Sequence, residues 1–310
     1  MPGRFEGSIP QRFEHLLARD VSLSPTSDAC LSVASSWLRD CLKCHMTCQQ
    51  LYREDKQLPT RVIDVGSAGE IHEPRLVATN SAHGSWAALS YCWGGESSFI
   101  LKADNLQNMM NGIPTESFPV TLRDAAQVAR SLGIRYLWID ALCILQDSPE
   151  DWALEAARMG EVYRGAKVRI SAINSPRTGS GILGEREAPS LNCRLKWDPT
   201  RDGDSTPVYL HSGSHLWDVN MKSSPLNTRG WTLQEALLSP RTLSYGIQQM
   251  IWECQELRID EGGRHVAPGE KYREKKYIQD LIRAKTNTRN RSYSVKWGVY
   301  LFRNCSIYGN

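Results

Sequence analysis

One stretch, Arg135-Tyr-Leu-Trp-Ile-Asp-Ala-Leu-Cys-Ile-Leu-Gln-Asp147, constrains the fold of this chain more than any other. Residues 135–145 are nearly all apolar and β-favouring, which predicts a strand buried on both faces, as in a parallel sheet. A single carboxylate, Asp140, interrupts the run. Burying it bare would cost several kcal/mol, so it must be paired or hydrogen-bonded. Sites in α/β proteins form at the carboxyl ends of parallel strands, which makes Asp140, Gln146 and Asp147 candidate site residues.

The flanking sequence supplies the rest of an α/β unit. Thr121-Leu-Arg-Asp124 has the form of a capping box, opening a helix that Gly133 closes. Ser148-Pro-Glu-Asp151 starts a second helix, with Trp152, Ala156, Met159 and Tyr163 on its predicted inner face and Glu155 in solvent. Ala166–Ile173 alternates like a half-buried strand. Upstream, 58–66 and 74–78 read as two strands joined by a Gly-rich turn. Trp86-Ala-Ala-Leu-Ser-Tyr-Cys-Trp-Gly-Gly95 is a strand running into a loop, with Ser90, Tyr91, Trp93 and Gly94 at its exit. No Gly-x-Gly-x-x-Gly or Lys-Ser/Thr follows, so no dinucleotide fingerprint is present.

Residues 174–224 form a loop-rich insertion with one predicted strand, Val208–His211. Thr232-x-x-Glu235 then opens a short helix as another capping box. Arg241–Tyr245 and Gln249–Cys254 read as a hairpin around Gly246. The fold class is α/β: a mostly parallel sheet flanked by helices, with a loop-rich insertion and an additional β-hairpin.

The second half of a predicted helix over 30–52 carries Cys41-Leu-Lys-Cys44-His45-Met-Thr-Cys48. These letters match a c-type haem attachment site, and three thiols with an imidazole can hold zinc. Without an export signal or a second ligand cluster in the sequence, we read them as packing residues on the inner helix face and expect no metal.

No apolar run is long enough to span a membrane and the N-terminus lacks a secretory h-region. Nine cysteines at irregular spacing fit a reducing interior, so a cytoplasmic protein is expected. The net charge of +3 conceals ten Lys/Arg in residues 271–310 against Glu274 and Asp280 alone. No nucleic-acid motif accompanies that charge, so a solvated tail is expected and nucleic acid is not an expected partner.

Three blocks together resemble the fungal heterokaryon-incompatibility (HET) domain. They are Ala88-Leu-Ser-Tyr-Cys-Trp-Gly94; Thr121 through Asp147, continuing to Tyr163-Arg-Gly-Ala166; and Arg229-Gly-Trp-Thr-Leu-Gln-Glu-Ala-Leu-Leu-Ser-Pro-Arg241, followed by Ile251-Trp-Glu-Cys254. The resemblance divides the chain into a lead-in (1–34), a HET domain (35–256, core 86–236) and a basic C-terminal tail (257–310), disordered or cut short. Chains of this family usually continue well past the Trp-Glu-Cys block.

The resemblance implies nonself recognition that triggers growth arrest and programmed cell death through assembly with incompatibility partners. It also implies a fold similar to Toll/interleukin-receptor (TIR) and flavodoxin-like domains, some TIR members of which cleave NAD with a catalytic glutamate. On that implication Glu235 and Asp140 are the catalytic candidates. Ser90, Tyr91, Trp93, Gly94, Gln146, Asp147, Arg229, Trp231 and Gln234 are the binding candidates, and NAD is a possible substrate rather than a resident cofactor. The competing expectation makes Asp140 a structural anchor, accepting backbone N–H bonds or pairing with an arginine such as Arg229, and assigns Glu235 to its helix cap. Cys143 is read as a buried apolar thiol, and Trp138, Trp152 and Trp231 as core.

Overall fold

The structure is a computed structural model that describes residues 21–51, 56–67, 69, 72–95, 99–186, 193–197, 206–210 and 224–263. The start of the lead-in and most of the basic tail, with a polar helix expected over 270–285, lie outside the described residues. Helix α1 (Asp28–Cys44) is capped by the Ser27 side chain, which accepts from Cys30 N. The single helix expected over 30–52 is divided: His45 is extended and α2 (Met46–Leu51) follows it. Strands β1 (Lys56–Gln57), β2 (Arg61–Asp64), β3 (Arg75–Ala78), β4 (His83–Gly84) and β5 (Trp86–Ser90) come next. β1 and β4 pair apart as a short antiparallel ribbon.

Helices α3 (Leu106–Asn111) and α4 (Val120–Ser131) lead to β6 (Tyr136–Trp138), α5 (Asp140–Cys143), α6 (Pro149–Gly165) and β7 (Val168–Ser171). The insertion holds an antiparallel pair, β8 (Cys193–Trp197) and β9 (Thr206–Leu210), where one strand was expected. Helix α7 (Gly230–Leu238), β10 (Thr242–Tyr245), β11 (Met250–Glu253) and β12 (Arg258–Asp260) complete the described elements.

Eight strands form one mixed sheet in the order β12-β11-β10-β7-β5-β6-β2-β3. The four central strands, β10, β7, β5 and β6, are parallel, and both flanks are antiparallel. Every residue of β5 and β7 is buried, because helices cover both faces of a parallel centre. β7 is thus a fully buried strand, where alternation had suggested a half-buried one. The expected hairpin around Gly246 forms as β10 and β11.

The central apolar run behaves differently from its sequence reading. Only Tyr136–Trp138 pairs as strand; Asp140 opens the helical turn α5. Trp138 is fully buried, edge-on to Tyr163 at 5.7 Å between ring centroids. The Tyr163 hydroxyl donates to Leu89 O at 2.9 Å, fastening α6 to β5.

Helix α6 starts as expected, with Ser148 Oγ accepting from Asp151 N at 3.2 Å. Its buried face is rotated from the predicted one. Glu155 is buried and accepts from Thr60 Oγ1 at 2.6 Å, while Trp152 is 52% exposed. A partnered carboxylate can go inside, and the Thr60 hydroxyl provides the partner. The Thr121 capping box also fails to form. Helix α4 begins at Val120 after Pro119, and Asp124 instead receives Ile182 N (2.8 Å) and Leu183 N (3.0 Å) from the insertion. Among the described residues no helix is long and apolar enough to cross a membrane.

The antiparallel flank is closed by Asp64 at the end of β2. Its buried carboxylate takes a bidentate contact from Arg135 (2.9 and 2.8 Å) and Gly66 N at 3.1 Å. Burial pushes this carboxyl up, but the Arg135 and Gly66 hydrogen bonds outweigh it and hold the pKa below the usual carboxylate range. A depressed folded pKa contributes stability that is present above the unfolded value and is lost as pH falls through the folded one. Urea titrations of the unmodified chain should therefore show stability declining below about pH 4. In Asp64→Asn that component of the acid slope should be missing.

Candidate functional site

The carboxyl end of β5 and the loop leaving it collect the predicted residues from three distant parts of the chain. Ser90, the last residue of β5, hydrogen-bonds the Glu235 carboxylate of α7. Arg229, which precedes α7, donates through Nη1 to the carbonyl of Tyr91. Trp93 donates from Nε1 to both Asp140 oxygens, at 3.0 and 3.2 Å. Three of the four positions 90–93 at one strand exit thus receive Glu235, Arg229 and Asp140.

Asp140 reaches this place because β6 ends two residues before it and α5 starts there. Its own Oδ1 accepts the Ala141 N–H at 2.7 Å. Of the two expected anchors the backbone one forms: Asp140 accepts the Ala141 N–H and is also held by Trp93, while Arg229 donates to the Tyr91 carbonyl instead. Arg229 still acts on Asp140 through its field. Burial is the largest influence on Asp140 and raises its pKa; the Ala141 N–H, Arg229 and Trp93 partly offset it. The Tyr91 hydroxyl, buried beside Asp140, is pushed far above its ordinary value by burial first and then by that carboxylate.

Glu235 is freed from the capping duty the sequence assigned to it. Helix α7 begins at Gly230, two residues before Thr232, and Thr232 Oγ1 instead donates to Leu226 O at 3.0 Å. The Glu235 side chain, 7% exposed, turns inward to Ser90. Burial raises its pKa, Ser90 and Arg169 lower it, and Asp140 raises it again. Arg169, buried on β7, reaches Ser90 Oγ at 3.5 Å and Thr242 Oγ1 at 3.3 Å. Two carboxyls, two guanidiniums and two phenols (Tyr91 and Tyr163) therefore lie close enough together for the charges of this group to act on the carboxyls and phenols.

The other candidates have shaping roles. Gln146 Nε2 donates to Asp140 O (3.1 Å) and Ile144 O (3.0 Å), locking the turn after α5. Asp147 accepts Ala103 N on both oxygens at 3.1 Å. Gln234 packs toward Gly160 of α6. Trp231 is 46% exposed and is not core, so of the three tryptophans expected inside only Trp138 is buried there. Cys143 is fully buried, and burial pushes its thiol up to about 12. Sequence reasoning missed Arg169, whose place in an alternating strand gave no sign of burial.

A cleft of about 520 Å³ lies elsewhere, beside the amino end of β5, lined by Trp86, Thr60, Arg61, Glu155 and Arg158 among others. It shares no residue with the carboxylate cluster. Three thiols and one imidazole also meet: Cys41, His45, Cys48 and Cys254 place their ligand atoms within 4.8 Å of one another.

A parallel-centred α/β sheet with a buried carboxylate cluster at its carboxyl edge defines the class. Residues 86–235 match the family model described as Heterokaryon incompatibility protein (HET). The chain carries a heterokaryon-incompatibility domain, and the match begins at β5 and ends on Glu235. No curated protein and no solved structure matches it.

Gly94 shows how closely the exit loop is packed. Its φ is +82°, and a Cβ there would lie 2.2 Å from Arg177 Cβ and 2.9 Å from Arg177 Cα. Gly94→Ala should destabilise the chain by about 2–4 kcal/mol in urea unfolding, from left-handed strain plus overpacking. Gly95→Ala, with φ +87° but nothing among the described residues within 4 Å of the added carbon, should cost about 1–2 kcal/mol, the strain alone.

Proposed function

We propose that the chain acts in the cytoplasm in fungal nonself recognition, passing on a cell-death signal by assembling with other protein chains. The family match supports the recognition role, and one observation supports assembly. Helices α6 and α7, which pack together, expose Trp152 (52%), Leu154 (48%), Trp231 (46%) and Leu233 (46%) to solvent. Large exposed apolar side chains on neighbouring helices are the material of protein interfaces, where tryptophan is enriched. The carboxylates, by contrast, are spent on internal contacts. Light scattering should show a concentration-dependent assembly that Trp152→Ser with Trp231→Ser abolishes, and the same pair should relieve growth arrest on expression in a fungal host. A strictly monomeric chain whose growth effect survives the substitutions overturns this reading.

A second reading is a TIR-like NAD glycohydrolase, in which a carboxylate steadies the ribosyl cation as nicotinamide leaves. The observation that favours it is Glu235: a glutamate free of its cap, buried, and held by Ser90 beside Arg169. NAD here is substrate, and no resident cofactor is proposed. Only ionised Glu235 can steady a cation. With its pKa raised by burial, nicotinamide release should climb as pH rises beyond the ordinary carboxylate range. Release should fall at least about 100-fold in Glu235→Gln with the fold intact. No release from the assembled chain at any pH removes this reading.

A further inference from the structure

We propose that Cys41, His45, Cys48 and Cys254 hold a structural zinc ion that fastens α1 and α2 to the end of β11. The four residues come from different pieces of structure. Cys41 lies in the last turn of α1, His45 is the extended residue after it, Cys48 is in α2, and Cys254 directly follows β11. Their ligand atoms all lie within 4.8 Å of one another, and His45 Nδ1 is 3.2 Å from Cys254 Sγ. In a tetrahedral centre with Zn–S of about 2.3 Å and Zn–N of about 2.0 Å, ligand atoms sit roughly 3.5–3.8 Å apart. The quartet is already near that size. Three thiolates and one imidazole with no open position form a closed structural site, not a catalytic one.

The surroundings suit a metal–thiolate centre. Arg241, with no solvent exposure, donates from Nε to Cys41 Sγ at 3.1 Å and from Nη2 to Cys48 O at 3.2 Å. Zn²⁺ with three thiolates and a neutral histidine carries one net negative charge, and a buried guanidinium beside it offsets that charge. The backbone N–H of Leu257 donates to Cys254 Sγ at 3.3 Å, the kind of amide bond that orients a ligating sulfur and lowers its proton affinity. Cys41, Cys48 and Cys254 are buried, whereas Cys44, the fourth residue of the sequence cluster, is exposed. The ligand that the sequence lacked locally is Cys254, 209 residues beyond His45.

Plain thiol packing is the alternative, and metal content separates the two. The full chain, expressed in zinc-supplemented medium and purified without chelator, should carry about one zinc per molecule by mass spectrometry of the metal. Cobalt(II) exchanged into the same chain should give intense tetrahedral d–d bands and a thiolate charge-transfer band. Cys254→Ser and Cys48→Ser should lose the zinc, and Cys44→Ser should keep it. If the ligand variants fail to fold, the unmodified chain still decides through its zinc content and cobalt spectrum. The proposal is overturned by zinc below about a tenth of an equivalent in the unmodified chain. An octahedral cobalt spectrum, zinc retained in Cys254→Ser, or a disulfide between any two of the three buried cysteines also overturns it.

Discussion

The bond between Glu235 and Ser90 is the contact on which the arrangement of the carboxyl edge depends. It joins α7 to the central strand β5 across 145 residues of sequence, and Arg169 on the neighbouring strand balances its charge. A carboxyl this deep is tolerable only while its partners are present. Breaking such a buried set by removing one member costs about 3–5 kcal/mol, because the others stay buried and unpaired. Glu235 therefore fixes where α7 lies, and with it where Arg229 reaches β5. Any catalytic use of Glu235 would have to operate inside that constraint.

The flanks of the sheet follow the same rule with different groups. Asp64 and Arg135 close the β2–β6 side, and Arg186 with Glu261, 2.6 Å apart and both buried, ties the insertion to the residues after β12. Arg241 does so beside the cysteine cluster. At each edge a guanidinium meets an acceptor set that water does not reach freely. The apolar centre supplies most of the driving force, and these polar ties decide which segments cover it.

How much of this was legible in the sequence differs by kind of feature. β2, β3, β5, β7 and the hairpin β10–β11 were readable because continuous or alternating apolar runs bounded by glycine or proline leave few alternatives. The family blocks also brought Asp140, Glu235 and Arg229 forward, and the fold brings each of them to a different residue of the β5 exit. Their partners were not legible. Both Thr-x-x-acid motifs read as helix caps, yet tertiary hydrogen bonds to Ser90 and to the insertion claim both acids. Glu155 and Trp152 exchanged places for a similar reason: one hydroxyl, Thr60, makes a buried glutamate acceptable, and nothing local in the helix announces it. The fourth member of the cysteine cluster lay too far along the chain for spacing to find.

The strand order has a consequence for how the chain is made. β5 leaves the ribosome before the strands that flank it but lies in the middle of the finished sheet, with β6 on one side and β7 on the other, and β7 in turn waits for β10. Each parallel neighbour is separated from its partner by dozens of residues. Until β6 emerges this fully buried strand is therefore an open edge on both sides, and until β7 emerges it is still open on one. Chaperone demand during translation should be greatest in that interval, between the emergence of β5 and the arrival of β7, and should ease once the centre is closed.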